Sequence, residues 1–372
     1  MFRPMLLYWG RRGLSRLVLN FALSARTELD IPITASISRR NEIFDQFYRA
    51  LDRDLIAIDI FATYAGAATQ AWRIPLLRQQ ISRACEERGV THIIDMMPHL
   101  WMPFIVSAIQ ARGVCYIPIV HDANVHPGDI RTRLASVFTD HLIARADHLV
   151  TLSQAVSDSL RLRLGADAPV RISTLFHPDL TFSSGAMETR GPPHLPPRLL
   201  FLGRILPYKG LPLFTTTIEL LRAAGFAVDA GVFGEGAIGA ERPRLLSINA
   251  EVVNRWLSEA DIAEVLARYD VVIASHLEAS QSGIVAAAHG AGLPVVTSPV
   301  GGLIEQVDDG HTGLVARATT AEALGDAIRR LFETPGLYAQ IQARIAADRE
   351  ARSITHFARR LFEIARSVSR PS

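Results

Sequence analysis

Apolar runs alternate with amphipathic stretches along the whole chain. Short apolar runs such as residues 92–95 and 114–120 are bounded by turn residues and predict buried strands, whereas residues 14–23 and 211–224 carry apolar side chains at helical spacing. Further strands are predicted at 4–9, 31–37, 54–60, 146–152, 170–176, 198–202, 228–233, 245–249, 270–274, 295–297 and 312–315, and further helices at 101–111, 262–269, 284–290, 321–333 and 338–369. This succession of strand, turn and helix is typical of doubly wound α/β domains with parallel sheets.

A second domain is expected because 372 residues exceed what one compact core usually holds. Residues 183–197 (SSGAMETRGPPHLPP) contain four prolines and show no periodicity, which is typical of a linker. We therefore predict an N-terminal Rossmann-like domain at 1–182, a linker at 183–197, a C-terminal Rossmann-like domain at 198–345 and a helical tail at 346–372.

The composition narrows the function classes. A net charge of +2 does not predict a nucleic-acid partner. Cys85 and Cys115 give neither metal-ligand spacing nor a disulfide framework, so no metal is expected. No apolar run is long enough to span a membrane, so no spanning helix is expected. Two cysteines without a disulfide framework fit a reducing, cytoplasmic setting.

Lys209 is the only lysine among 39 basic residues. It is either a chance survivor of a drift towards arginine or a position that needs a compact ammonium, which binds phosphate as a point charge.

The first candidate phosphate clamp is FLGRILPYKG, residues 201–210. A predicted strand ends at Gly203, where the backbone can approach a ligand closely, and Arg204 and Lys209 follow. Two cations at the carboxyl end of a strand can neutralise a diphosphate. The alternative is a surface loop with two solvated charges.

The second candidate clamp is the start of the helix at 284–290. Ser282 is expected to cap this helix, and the amides at Ser282 and Gly283 together with the helix dipole favour an anion. Glu278 precedes them, where a carboxylate can accept a hydrogen bond from a ribose or sugar hydroxyl. A Ser-Gly helix start is a weak signal alone and gains weight beside Arg204 and Lys209.

Three further stretches carry candidate chemistry. His121 follows the strand at 114–120, at the edge where parallel sheets bind ligands, or is a loop histidine bonded to its own turn. Arg12 and Gly13 lie in a glycine turn that begins a helix or holds an anion. Residues 234–239 (GEGAIG) match a dinucleotide fingerprint, but Pro243 is expected to end or kink the helix, which favours a plain glycine-rich turn over nicotinamide or flavin binding.

These segments resemble the family 4 glycosyltransferases. FLGRILPYKG resembles their Gly-Arg…Lys-Gly diphosphate motif, and HLEASQSGIVAAAHGAGLPVVTSPVGG resembles their signature segment. IVHDANVHPGD and ADHLVTLSQAV are similar to segments of their first domain. The resemblance implies the α/β GT-B fold, with two Rossmann-like domains facing a central cleft and a C-terminal helix crossing back to the first domain.

The resemblance also implies an activity. It is that of a retaining hexosyltransferase, which moves a sugar from a nucleoside diphosphate sugar to a saccharide or lipid-linked acceptor without a metal or other cofactor. Bacterial cell-surface or exopolysaccharide synthesis is the implied setting. By resemblance, the catalytic residues are His121, Arg204, Lys209 and Glu278, and the substrate-binding residues are Arg12, Gly13, Gly203, Ser282, Gly283 and Ile284.

Their roles follow from the same resemblance. Arg204, Lys209 and the amides at Ser282 and Gly283 would stabilise the leaving diphosphate. His121 would contact the donor sugar, and Glu278 would orient the donor.

The chain departs from the family in its signature helix. Many members have a second glutamate that contacts the nucleotide ribose, where this chain has Ala286 and Ala287. The donor base and sugar stay open for this reason. A nucleotide-sugar epimerase, a phosphorylase and an inactive sugar-nucleotide-binding scaffold are the alternatives.

The first domain is expected to take the acceptor. Its apolar side chains could contact an anionic membrane, at the inner face of the cell membrane, or form the core. The side chains in question are Phe2, Met5, Trp9, Phe44, Phe47 and Tyr48.

Overall fold

The computed structural model describes residues 2–11, 13–61, 63–122, 140–165, 170–182 and 190–370, which form two compact units. Unit 1 holds the described residues up to Phe176 together with those from Ile354 onward, and unit 2 holds the described residues between them. Residues 177–182, which the sequence analysis placed in the N-terminal domain, are thus part of unit 2. Residues 354–370, which it placed in the tail, are part of unit 1.

Unit 1 is built on a parallel sheet of seven strands in the order β3-β2-β1-β4-β5-β6-β7. The strands are β1 (Pro4–Tyr8), β2 (Thr34–Ser38), β3 (Leu55–Ile58), β4 (His92–Asp95), β5 (Cys115–Val120), β6 (Leu149–Thr151) and β7 (Ile172–Thr174). The described helices are α1 (Ser15–Thr27), α2 (Phe44–Leu51), α3 (Tyr64–Thr69), α4 (Ile74–Arg88), α5 (Val106–Gln110) and α6 (Gln154–Leu164), with α14 (Ile354–Ser367) added from the end of the chain. The central strands are buried on both faces, which explains why their sequences are almost continuously apolar.

Unit 2 is built on a parallel sheet of six strands in the order β10-β9-β8-β11-β12-β13. The strands are β8 (Arg198–Leu202), β9 (Asp229–Phe233), β10 (Glu251–Val253), β11 (Val271–Ala274), β12 (Val295–Thr297) and β13 (Gly313–Val315). The described helices are α7 (Leu211–Ala223), α8 (Glu241–Ser247), α9 (Glu259–Arg268), α10 (Gly283–Gly290), α11 (Leu303–Gln306), α12 (Ala321–Glu333) and α13 (Leu337–Ala347).

The strand order of each sheet reverses between two adjacent strands. In unit 1 these are β1 and β4, and in unit 2 they are β8 and β11. At such a reversal the connections leave on opposite faces, which opens a crevice beyond the carboxyl ends of the two strands. The predicted phosphate clamps follow β8 and β11, so unit 2 brings both to one crevice.

Several predicted elements differ in the structure. The predicted helix at 101–111 is divided in the structure into a 3-10 turn at Met102–Phe104 and α5. The predicted strand at 245–249 is wrong, since residues 245–247 end α8 and the strand is Glu251–Val253. The expectation that Pro243 ends or kinks a helix is also wrong. Pro243 lies in the first turn of α8, where no intrahelical donor is needed.

The C-terminal helix α14 belongs to the core of unit 1. The ring of Phe21 on α1 lies 6.1 Å from that of Phe357 and 5.2 Å from that of Phe362. Ser24 Oγ donates a hydrogen bond of 2.8 Å to Thr355 Oγ1 beside them. The predicted return of the C-terminal helix to the first domain is confirmed.

Three of the six apolar side chains proposed to face a membrane are core residues. Met5, Trp9 and Phe47 are fully buried, so a membrane-facing role is wrong for them. Phe2 is half-buried, with its ring 5.6 Å from that of Phe362, and Phe44 is half-buried as well. Tyr48 alone of the six is exposed.

Candidate functional site

The two predicted clamps are joined by hydrogen bonds beyond β8 and β11. Leu277 N–H donates to the Tyr208 carbonyl oxygen at 2.7 Å, and Ser275 Oγ donates to the Gly210 carbonyl oxygen at 3.0 Å. Residues 207–209 form a 3-10 turn that ends at Gly210. The loop after β11 is therefore fixed directly against the turn that carries Lys209.

Gly210 makes this close approach sterically feasible. Its φ is +70°, in the left-handed region that favours glycine. A Cβ atom here would lie 1.8 Å from the Ser275 carbonyl oxygen, which is part of the backbone and cannot rotate away. The glycine in the predicted Lys-Gly pair is thus required by the contact between the two loops.

Lys209 is held by a histidine to which the sequence analysis gave no role. Its Nζ lies 2.7 Å from His276 Nε2, and its ammonium lies 5.2 Å from the centre of the Tyr208 ring. Because an ammonium only donates hydrogen bonds, His276 Nε2 accepts, and the imidazole is neutral. Ser282 Oγ lies 3.5 Å from the same nitrogen. His276 is buried, so it fixes the position of the Lys209 charge beside the start of α10.

Gly203 lies against the first turn of α10. Its φ is +104°, and a Cβ atom there would lie 3.0 Å from the side chain of Ile284. Arg204 and Glu278 are exposed at the same edge of the sheet. The structure thus brings together Gly203, Lys209, Ser282 and Ile284, with two charged side chains in the adjoining loops.

Ser282 does not play the two parts predicted for it. Its side chain makes no capping hydrogen bond to α10. Its N–H donates to Gln306 Oε1 at 2.6 Å, and Gln306 Nε2 donates to the Ser282 carbonyl oxygen at 3.2 Å. The Ser282 N–H is therefore already hydrogen-bonded to Gln306. Amide donors for an anion would come from Gly283 onward, in the first turn of α10.

The glycine-rich loop after β9 supports the same edge. A Cβ atom on Gly234 would lie 1.9 Å from the Gly203 carbonyl oxygen, and Ile205 N–H donates to the Glu235 carbonyl oxygen at 2.9 Å. Gly236 exchanges hydrogen bonds of 3.1 and 3.0 Å with the side-chain amide of Asn254. These glycines allow loops to pack closely, in agreement with the glycine-rich turn preferred from the sequence.

His121 lies at the carboxyl end of β5 in unit 1. It is 9% exposed, and its Nε2 donates to the Met96 carbonyl oxygen at 2.8 Å. Burial lowers the pKa of His121, so the ring is neutral near pH 7. Gly13 has a φ of +47° and no atom near the position of a Cβ. Arg12 lies outside the described residues.

A buried acid accompanies His121. Asp95 ends the neighbouring strand β4, and Tyr116 donates its hydroxyl to Asp95 Oδ2 at 2.7 Å. Burial raises the pKa of Asp95 to about 7, although the hydrogen bonds it accepts act in the opposite direction. Asp95 lies in a strand that was predicted from the sequence, but no role was predicted for it.

Two residues of this site were missed for different reasons. His276 lies two residues beyond β11, so the rule that ligands bind at carboxyl ends of strands could have pointed to it. Gln306 lies 24 residues beyond Ser282. No local sequence pattern signals that contact, because it depends on how α11 packs beside α10.

The described residues contain no group of three or more His, Cys, Asp or Glu side chains that could hold a metal ion. Within the same ranges, no helix combines the length and apolarity needed to cross a bilayer. Cys85 and Cys115 are buried thiols.

Two Rossmann-like units, the second with basic residues at its switch point, are typical of GT-B glycosyltransferases. Solved structures agree: Anabaena HepE in complex with UDP-glucose superimposes with a TM-score of 0.68 at 14% identity, over 99% of this chain and all of that one. Residues 196–334 match the family described as glycosyl transferases group 1.

Curated relatives point the same way. A D-inositol 3-phosphate glycosyltransferase of Nocardioides is 25% identical over 77% of this chain and 70% of its own length. A glycogen synthase of Mycobacterium tuberculosis is 29% identical over 68% of this chain and 63% of its own length. The chain is therefore a glycosyltransferase with the GT-B fold.

Proposed function

We propose that this chain is a retaining, family 4 type hexosyltransferase that uses a nucleoside diphosphate sugar. The observation that carries the proposal is the Lys209–His276 pair, 2.7 Å apart, at the joined carboxyl ends of β8 and β11. A cation fixed beside a helix start suits a diphosphate leaving group. The resemblance of both loops to the family's diphosphate motif and signature supports it.

The mechanism follows from fixed charges at the site. Lys209 and Arg204 stabilise the negative charge that develops on the diphosphate as the bond to the sugar breaks. His276 holds Lys209 in place, and the amides from Gly283 onward add donors. Glu278 orients the donor.

The acceptor hydroxyl attacks the anomeric carbon from the face the diphosphate leaves. A phosphate oxygen takes its proton, and no nucleophile of the protein is needed. The role of His121 towards the sugar stays a prediction of the sequence resemblance.

The donor class is supported by the Anabaena structure, which contains UDP-glucose. The base and sugar are less constrained here, because Ala286 and Ala287 are completely or almost completely buried within α10. Neither can supply the carboxylate that contacts the ribose in many family members. We therefore propose a nucleoside diphosphate hexose as the donor and leave its base to experiment.

The test is nucleotide release from a panel of nucleotide sugars, with and without a saccharide acceptor. Arg204→Ala and Lys209→Ala should each lower turnover by about tenfold or more, because a charge-assisted contact contributes about 2 kcal/mol. Arg329→Ala is the matched control, since Arg329 is exposed and forms an ion pair with Glu333 on the same helix, α12. Parental turnover in both site variants would contradict the mechanism.

The same panel separates the alternatives. An epimerase would interconvert sugars without an acceptor, and a phosphorylase would require inorganic phosphate. An inactive scaffold would bind nucleotide sugars without releasing nucleotide. Transfer to an added acceptor with retained anomeric configuration is the outcome that supports the proposal.

For the acceptor we propose a saccharide or a lipid-linked sugar in polysaccharide synthesis, made on the cytoplasmic side of a membrane. Exposed Trp72 and Leu76, one helical turn apart in unit 1, are better placed for peripheral contact with anionic lipid than the buried aromatics. Flotation with anionic liposomes tests that contact. Association that is absent, or unchanged by salt, would remove the membrane from the proposal.

A further inference from the structure

The Arg352 guanidinium binds three groups at the end of unit 2. Its guanidinium makes a bidentate ion pair with Asp179, with hydrogen bonds of 3.0 and 3.1 Å to Oδ1 and one of 3.1 Å to Oδ2. Nη2 also donates to His289 Nδ1 at 2.7 Å, and Nη1 donates to the Gln306 carbonyl oxygen at 3.4 Å. The Arg352 side chain is 20% exposed and that of Asp179 is 8% exposed, so the pair is largely shielded from water.

His289 is held in one protonation state by these contacts. Burial and the Arg352 charge lower its pKa to about 3, so its ring is neutral. Nδ1 accepts from Arg352, and Nε2 therefore carries the proton and donates to the Thr312 carbonyl oxygen at 3.1 Å. Arg352 is thus hydrogen-bonded to the last turn of α10 through His289.

The second contact of Arg352 leads to the first turn of α10. The Gln306 carbonyl accepts from Arg352, while the Gln306 side chain holds both the N–H and the carbonyl of Ser282. Ser282 is the residue from which α10 starts. One guanidinium therefore contacts residues that fix both ends of the helix.

The chain segment near Asp179 is fastened to the same helix. Asp179 N–H donates to the Arg352 carbonyl oxygen at 2.9 Å, and Leu180 N–H donates to the Ala286 carbonyl oxygen at 3.0 Å. A Cβ atom on Gly290 would lie 2.1 Å from the Leu180 carbonyl oxygen, so only glycine permits this approach. The first and last segments of unit 2 both dock on α10.

We propose that Arg352 is a positioning residue for the diphosphate site. It acts through His289 and Gln306 on α10, and so sets where the amides of the first turn stand relative to Lys209. The inference rests on the proposed function, because it takes the start of α10 to be part of the donor site. It predicts that donor affinity depends on a residue that does not touch the donor.

Binding of UDP and GDP, measured by calorimetry, tests this dependence. Arg352→Gln should weaken binding of the preferred nucleotide by about tenfold, and raise the donor KM more than it lowers kcat. Gln306→Met, which keeps the side-chain volume but loses both hydrogen bonds to Ser282, should have a similar effect. The loss of binding free energy in the double variant should be smaller than the sum of the losses in the two single variants. Both substitutions are expected to weaken binding through the same route.

Two further variants guard against unfolding. Asp179→Asn combined with Arg352→Gln removes both charges and leaves no buried charge unpaired. Arg329→Gln is the matched control and should bind like the parent. Folded Arg352 variants with parental nucleotide affinity would overturn the inference.

Hydrogen exchange separates this inference from the proposed function. Without nucleotide, Arg352→Gln should speed exchange at the Ser282 amide and in the first turn of α10, as followed on peptides covering 280–290. If the parent binds no nucleotide of the panel, the proposed function is wrong. If hydrogen exchange in residues 280–290 is unchanged in Arg352→Gln, the role of Arg352 is wrong as well.

Discussion

The ionisation of Asp95 should be visible in the stability of unit 1. Burial raises its pKa to about 7, whereas an unfolded aspartate titrates near about 3.9. Between those values the folded state keeps a proton that the unfolded state has lost. The contribution of Asp95 to stability is therefore present at low pH and is lost as the pH rises to about 7.

Asp95→Asn should remove this dependence. The free energy of unfolding of the variant, relative to that of the parent, should rise by a few kcal/mol between about pH 4 and pH 7. Denaturant unfolding at several pH values measures it. A difference that does not change with pH would show that Asp95 is ionised in the folded protein.

The comparison must be made between variant and parent, because His99 titrates in the same window with the opposite sign. Burial lowers the pKa of His99 to about 3, so its contribution to stability is lost as the pH falls through the range between about 6.5 and 3. The two slopes partly cancel in the parent. Subtracting the free energy of unfolding of the parent from that of the variant removes the contribution of His99 and leaves that of Asp95.

At the scale of single elements, the 3-10 turn at residues 207–209 carries Lys209 and contacts the loop after β11. Gly210→Ala places a methyl group 1.8 Å from the Ser275 carbonyl oxygen at a φ of +70°. Gly225→Ala is the matched control, because its φ of +80° carries the same left-handed penalty with no atom within 4 Å. That penalty alone is about 1–2 kcal/mol.

We therefore expect Gly210→Ala to lower the midpoint of thermal unfolding more than Gly225→Ala does. It should also abolish most nucleotide release, because the turn that carries Lys209 must move away from His276. Thermal melts and the release assay, run on both variants, provide the comparison. Equal losses in the two variants would mean that the contact with Ser275 relaxes at little cost.

The elements recovered from the sequence are those with strong local signals. The strands at 92–95, 198–202 and 295–297 were predicted with their structural boundaries, because each is an apolar run between turn residues. The prediction for residues 245–249 was wrong, because a short run with apolar residues is compatible with either a strand or the end of a helix. Pro243 was misjudged because its effect depends on its position within the turn.

The candidate site was recovered in the same uneven way. Lys209 and the start of α10 lie within short motifs, so both could be proposed as parts of a site from the sequence alone. The partners that position them could not be proposed in this way, since Gln306 lies 24 residues from Ser282 and Arg352 lies 63 residues from His289. Contacts of that separation are set by packing, which one sequence does not display.

At the scale of the whole molecule, unit 1 depends on the last helix of the chain. Removal of residues 354–372 would expose the core side chains that face Phe357, Leu361 and Phe362, all of which are buried. Each contributes about 1.5–3 kcal/mol by burial, and together they approach the stability of an ordinary domain.

A variant that stops at Ser353 should therefore lose the fold of unit 1 and keep that of unit 2. Limited proteolysis with mass spectrometry should yield a resistant fragment close to residues 177–353, whereas the full chain should resist cleavage in both units. Arg360→Ala, which changes only an exposed side chain of α14, should behave like the full chain. Survival of a protease-resistant unit 1 in the shortened chain would contradict this dependence.

The placement of α14 also bears on biosynthesis. The ribosome synthesises the strands of unit 1 before unit 2. The sheet of unit 1 nevertheless lacks helix α14 until residues 354–367 have been made. The residues of unit 2 are complete by then. The half that is translated second can thus reach its native state first, and the nascent N-terminal half is the part that chaperones have most reason to shield.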